Sequence, residues 1–317
     1  MLKYSVRFLA VVALLSAAMS VPAAQLSTDA RGAIPHEVQQ LVVIDYRAMQ
    51  NSSAAMNLRN HIMPPQLKQF DDALTRSGLN ENHDVDELAF ALFRTASGSD
   101  VLETVGIAQG QFDVQSIVSS FHRRKVKATI VRSNSIYPMT KTGMVLCFVD
   151  PSTMVFGDKE AVIKALDVRD GQARSMLSNG AMMSAMQSAD SAPLWSILDA
   201  KGTQTVLKQL LGEAGSVTDL ESVRKRLEVS WYSMEFQHGV RFGLTIETGD
   251  TFAAATVSSL LSAAVMVRKM SASDAEKAAL SDTSISSSAG KLMVRFAASD
   301  AEFGSLLQSQ LFRSMVH

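Results

Sequence analysis

The chain has one cysteine, 7 prolines and 6% aromatic residues in 317 positions, and neither sign of charge dominates it. Each shortage excludes something. Cys147, alone, forms no internal disulfide, so the fold must rest on its apolar core. Its setting, "GMVLCFVDP", reads as a buried strand in which the thiol acts as a small hydrophobe. A formal charge of −1 gives no electrostatic ground for nucleic acid or an anionic membrane surface as a partner. The six histidines (His36, His61, His83, His122, His238, His317) are scattered, without an H-x-H pair or an H-E-x-x-H helix, so no zinc constellation is legible.

What is present is apolar and compact in character. Hydrophobic residues make up 47% and charged residues 19%, with a mean hydropathy of +0.10. That composition suits one large core or two ordinary ones and excludes a disordered chain.

The first residues read as an address. "MLKYSVRFLAVVALLSAAMSVPAAQ" carries Lys3 and Arg7, an apolar stretch from Phe8 to Met19, then small residues. Val21 and Ala23 fit a signal-peptidase site with cleavage before Ala24, giving a signal peptide over 1–23. The apolar stretch is shorter than the about 20 residues a bilayer span needs. The expectation is an exported soluble protein, periplasmic or secreted, with no stable membrane span after signal removal. Without Lys3 and Arg7 the 30 basic residues become 28, against 31 acidic ones.

Turn chemistry then divides the chain. "QQLVVIDYRAM" opens as a strand, and a long helix follows from Ser52 or Ser53 to Arg76, broken at Pro64-Pro65 and stopped at Gly78. Asp86–Thr95 and Glu103–Phe112 read as paired strands, with Gly106, Ala108 and Gly110 on one face for close helix packing. Asp113 caps a short helix, and "KATIVR", "SIYPM", "GMVLCFVD" and "TMVFG" form a meander. Helices follow over Lys159–Asp167 and Asn179–Ala189. "APLWSILDAKG" then matches the opening strand in character, a helix runs to Leu211, and His238-Gly239 turns a hairpin. Strand–helix–strand–strand–helix thus occurs twice. The expectation is an α+β fold of two tandem modules, 24–190 and 191–317, each an antiparallel sheet with helices packed on one face. "TFAAATVSSLLSAAVMV" (Thr251–Val267), with Ala255, Ser259 and Ala263 at four-residue spacing, reads as a buried helix.

Several stretches imitate chemistry. "TMVFGDKEAVIKALD" (Thr153–Asp167) runs strand, glycine, helix, as a phosphate loop does, but holds one glycine where several must converge. Asp158 is expected to cap the helix in the place an anion would take. "KTG" (Lys141–Gly143) with Ser222…Lys225 and Ser288…Lys291 has the parts of a serine β-lactamase in the wrong order, so "KTG" reads as a hairpin turn. "NENHDVDE" gathers Glu81, His83, Asp84, Asp86 and Glu87, oxygen ligands without an EF-hand's spacing; the reading is a solvated acidic loop. "MMSAM" (Met182–Met186) offers thioethers for copper but reads as core filling or a contact surface. "HRRKVK" (His122–Lys127) reads as a solvated helix end whose cations complement free carbonyls.

"VGIAQGQFD", a meander, "VFGDKEAVIKALD" and a tryptophan strand, together spanning Glu103–Leu198, resemble uncharacterised exported bacterial proteins with domains of unknown function. The resemblance implies an envelope α+β protein and brings no catalytic residues. Catalytic, cofactor-binding and metal residues are therefore expected to be none, and cofactors none. The functional expectation is a non-catalytic module binding an envelope protein or a small apolar ligand. The alternative is an exported hydrolase whose residues assemble only in the fold.

Overall fold

A computed structural model describes residues 25–95, 101–211 and 223–309, so the expected signal segment lies outside the described residues. Ser27 caps a helical turn, α1 (Thr28–Gly32), by accepting from the Ala30 N–H. Strand β1 (Val38–Asp45) ends where the Asp45 carboxylate caps α2 (Tyr46–Gln50). The expected long helix is two, α3 (Ser53–Ile62), capped by Ser52, and α4 (Pro65–Arg76). Proline at 64 and 65 divides them because its ring and missing N–H end one helix, while Pro65 suits the first turn of the next. Gly78, at φ +96°, closes α4. A short turn, α5 (Glu81–Asp84), leads into β2 (Val85–Arg94) and β3 (Leu102–Gly110).

Helix α6 (Val114–Arg123) starts at Asp113, whose carboxylate accepts from the Ser116 N–H. The meander follows as β4 (Thr129–Val131), β5 (Asn134–Pro138), β6 (Met144–Asp150) and β7 (Thr153–Asp158), then α7 (Lys159–Arg169) and α8 (Gly180–Ala189). The second half runs β8 (Leu194–Leu198), α9 (Ala200–Leu211), β9 (Leu227–Glu235) and β10 (Val240–Thr248). His238 and Gly239 take φ of +60° and +94°, the left-handed pair a two-residue hairpin requires. Then come α10 (Thr251–Ser271), α11 (Asp274–Ser281), β11 (Ser284–Ser288), β12 (Lys291–Ala298) and α12 (Asp300–Leu307). Ser273 with Glu276, and Ser299 with Glu302, are reciprocal capping boxes. The serine-rich β11 carries almost no apolar signal; it forms because Ala289 and Gly290 fold it back on β12.

The protein is α+β, and its described strands form one antiparallel sheet of 12 in the order β11-β12-β10-β9-β8-β1-β2-β3-β7-β6-β5-β4. Strands of the first half lie on one side of the β1–β8 pairing and strands of the second half on the other. Outward from that seam, β1-β2-β3-β7-β6 and β8-β9-β10-β12-β11 follow the same plan.

Helices cover both faces near the seam, because β8 is buried at all five positions and must be roofed above and below. One face meets α1, α7 and α8 through Val43, Ala91, Ile107, Val155 and Trp195. The other carries three apolar clusters in a row: α4 and α6 over Phe156, α3 and α12 around Leu194 and Phe236, α9 and α10 over Leu244 and Ile246.

Two expectations are corrected. Helix α10 is not buried: only Ala253, Ala254, Val257 and Leu261 are covered, and its most apolar 18-residue window, of mean hydropathy 1.4, is 22% buried. It lies over the end of the sheet with nothing described above it. The Gly106 face serves a ring rather than a helix. A Cβ on Gly106 would fall 2.3 Å from the Phe156 ring, which stacks on Phe70 with centroids 4.8 Å apart and meets Phe90 edge-on. That ring is held by Phe70 and Phe90 and must shift to admit a methyl group, so Gly106→Ala should cost about 1–3 kcal/mol through overpacking. Chemical denaturation at unchanged m-value measures it; a stability equal to wild type would show that Phe156 shifts without cost.

Candidate functional site

The turn Thr153–Asp167 holds the fold together. Asp158 sits at the N-cap position of α7, yet its exposed carboxylate bonds no helix N–H, contrary to expectation. Lys159 and Glu160 are exposed too, so solvent reaches that turn, and the helix is held by Ala161, Val162, Ala165 and Leu166 against the sheet. "KTG" turns the β5–β6 hairpin, with Gly143 at φ +98°. Ser288 and Lys291 flank the β11–β12 turn as direct partners in the ladder, and Ser222 lies outside the described residues. Met182 and Met186 are core residues. Cys147 is fully buried, and burial pushes its thiol up to about 11, out of the nucleophilic range. In the basic run, Arg124 donates to Ser77 Oγ at 3.0 Å and locks the end of α4 to the end of α6.

The acidic loop Asn80–Glu87 is not one solvated cluster, since the chain sends its carboxylates to separate places. His83 pairs with Asp84 at the surface and Asp86 with Arg47. Glu87 enters the core on the face shared with Ala89 and Ala91, only 2% exposed, with Oε1 unpartnered. Asp45 and Gln109 are its neighbours in the ladder. Burial, with repulsion from Asp45 and Asp86, lifts its carboxyl to about 8. Among the described residues, no group of three His, Cys, Asp or Glu side chains is placed to hold a metal.

Glu81 goes to the opposite face and becomes part of a site that sequence spacing conceals. Arg59, from α3, donates through Nη2 to Glu81 Oε2 at 2.6 Å and Oε1 at 2.9 Å, and approaches Asp71 of α4 at 3.5 Å. Its guanidinium lies 5.5 Å from the centre of the Tyr46 ring, and the Tyr46 hydroxyl donates to Asn82 at 3.1 Å. Burial raises Glu81 to about 7 against the pull of Arg59, and burial with the Glu81 carboxylate raises the Tyr46 phenol above its ordinary range.

This cluster closes the edge of an apolar cavity of about 60 Å³ between α4 and the sheet. Met63, Leu67, Phe70 and Leu74 form its roof; Leu88, Phe90, Ala108, Met154 and Phe156 form its floor. Glu81 and Asp71 are its only charged lining residues, and both answer to Arg59. Arg59 and Tyr46 were missed because nothing in the spacing joins residues 46, 59, 71 and 81. The one available signal was the proline break, which folds α4 back over the strands.

No protein-family model matches the chain, and no curated protein matches it. Solved structures do. Crystal form I of TP0453 aligns with a TM-score of 0.51 at 11% identity, covering 91% of this chain and 99% of that one. Crystal form III of TP0453 aligns at 0.53 and 10% identity, covering 89% and 99%. Identities this low establish the shared fold alone.

The buried Glu87 sets a pH dependence. Its folded pKa is raised, so the folded state holds the proton more tightly; this stabilisation is full below about pH 4.5 and is lost as pH rises through about 8. Wild-type melting temperature should fall across that window, and Glu87→Gln should flatten the fall. At pH 8.5 the variant should be more stable by on the order of a few kcal/mol. Equal slopes in the two proteins would mean that Glu87 finds a partner when it ionises.

Proposed function

We propose that the protein is an exported, non-catalytic binding module that takes the apolar end of a small ligand into the cavity beneath α4. The observation that carries this reading is an almost wholly apolar chamber whose two carboxylates are already engaged by one arginine. Such an apolar cleft rewards transfer of hydrocarbon from water and offers a neutral ligand nothing to react with. None of the lining side chains is a serine, cysteine or histidine, which favours binding over the hydrolase reading.

The chamber of about 60 Å³ is smaller than the roughly 150 Å³ that accommodates a benzene ring. A ligand therefore enters by lifting α4, which turns about Pro64-Pro65 and is secured by Phe70, Ala73 and Leu74. Among the described residues, the one ion pair that ties α4 down at this edge is the long contact of Asp71 with Arg59, 3.5 Å.

The apolar fluorophore N-phenyl-1-naphthylamine tests the reading. Its emission should rise on a single saturable class of sites. Leu67→Trp at the roof and Ala108→Leu at the floor should each weaken binding at least about tenfold. Leu67 is only partly buried, so that variant should melt closer to wild type than Ala108→Leu. Probe affinity unchanged in both variants, or no saturable binding, would overturn the reading.

A further inference from the structure

Helix α10 turns small apolar residues toward the sheet and keeps its large ones outside. Phe252, Met266, Val267 and Met270 are 64–86% exposed. With the exposed Ala255, Ser259 and Ala263 they form one continuous stripe, opposite the buried Ala253, Ala254, Val257 and Leu261. The stripe is large at each end and narrow at its waist.

That shape is complementary to itself when reversed. If two copies of the helix cross antiparallel about an axis within one turn of Ser259, Phe252 of each meets Met266 or Met270 of the other. Ala255 then faces Ala263 or Val267 across the waist, where short side chains allow a close approach. The waist hydroxyls do not oppose this approach. Thr256 donates to the Phe252 carbonyl at 2.9 Å, Ser259 to Ala255 at 3.1 Å and Ser262 to Ser258 at 2.8 Å, so contact leaves no donor unpaired.

Charge does not oppose the arrangement: Asp250, at the start of the helix, is paired with Arg226 at 2.6 Å and accepts from the Ala253 N–H at 2.7 Å, so its charge is met within its own copy. The opposed helix dipoles add to the match.

We propose that α10 is a self-association surface, covered by α10 of a second copy of this chain across a two-fold axis near Ser259. This goes beyond ligand binding, since the cavity lies in the other half of the sheet. A lipid surface would be better served by large apolar groups along the whole stripe than by groups at its two ends. One helix face makes a small interface, so the dimer is a weak one, with dissociation on the order of micromolar.

The test uses the protein recovered from its exported fraction. In sedimentation velocity, wild type should move from monomer to twice that mass with rising concentration. Ala263→Arg should shift the midpoint at least about tenfold while melting near wild type, because position 263 is exposed. Ser259→Cys should form a covalent dimer under mild oxidation, and Lys277→Cys, exposed on α11, should not. Wild type supplies a clean background, since Cys147 is buried. A monomer at every concentration, or a dimer indifferent to Ala263→Arg, overturns the proposal. So does cross-linking as readily at 277 as at 259, or uptake by phosphatidylglycerol vesicles of a protein that stays monomeric in water.

Discussion

The antiparallel pairing of β1 with β8 joins residues some 150 positions apart, and the continuity of the sheet depends on it. Leu41 faces Ile197 and Val43 faces Trp195, each at most 1% exposed. Polar groups tie the same junction. Gln40 donates to Ser196 at 3.2 Å and to Tyr232 at 3.4 Å; beside the junction, within the second half, Thr203 of α9 and Ser230 of β9 share a bond of 2.8 Å. Arg94, ending β2 in the first half, reaches Asp199 at 2.6 Å in the second, and Asp199 also accepts from the Gly202 N–H at the start of α9. Buried polar groups of this kind are costly unless paired, so the satisfied set admits one register and penalises a slip.

Once the seam is fixed, the two faces of β2 acquire different chemistry. Residues alternate across a strand, so Glu87 is carried toward Ala89 and Ala91, and Leu88 toward the cavity floor. Glu81 lies ahead of the strand in a turn and is free to fold back over the cavity side, where Arg59 can reach it. Two carboxylates six positions apart thus meet unlike fates. One is buried beside like charge and stays protonated; the other shares an arginine and titrates close to neutrality.

What the sequence made legible was local. The helix start at Ser52 or Ser53, the cap at Asp113, the break at Pro64-Pro65 and the turn at His238-Gly239 each act within four residues, and each is where turn chemistry places it. In β10 the alternation of Val240, Phe242, Leu244 and Ile246 with Arg241, Gly243, Thr245 and Glu247 also marks one covered face, on which Phe242 is only partly buried. What stayed hidden was set by distance. Pairing of β3 with β7 skips three strands, the Arg59–Glu81 bond spans 22 residues, and β11 has too little apolar character to announce itself. Helix α10 misled for a different reason. A small, apolar composition reports that a helix can be buried, whereas burial also needs a layer above it, and that depends on which strands end the sheet.

The cavity and the α10 stripe stand on the same face of the sheet but at different places along it. From β10 to β3 the order passes through β9, β8, β1 and β2, five strand spacings, or about 24 Å. Between them lies the cluster of Met49, Leu58, Phe236 and Phe303, which fills the middle of that face. Sites this far apart with no shared partner are expected to act additively. A paired copy at α10 would therefore leave α4 free to lift, and a ligand under α4 would leave the stripe unaltered. Coupling would require the sheet itself to bend, and the paired polar groups at the β1–β8 seam resist that.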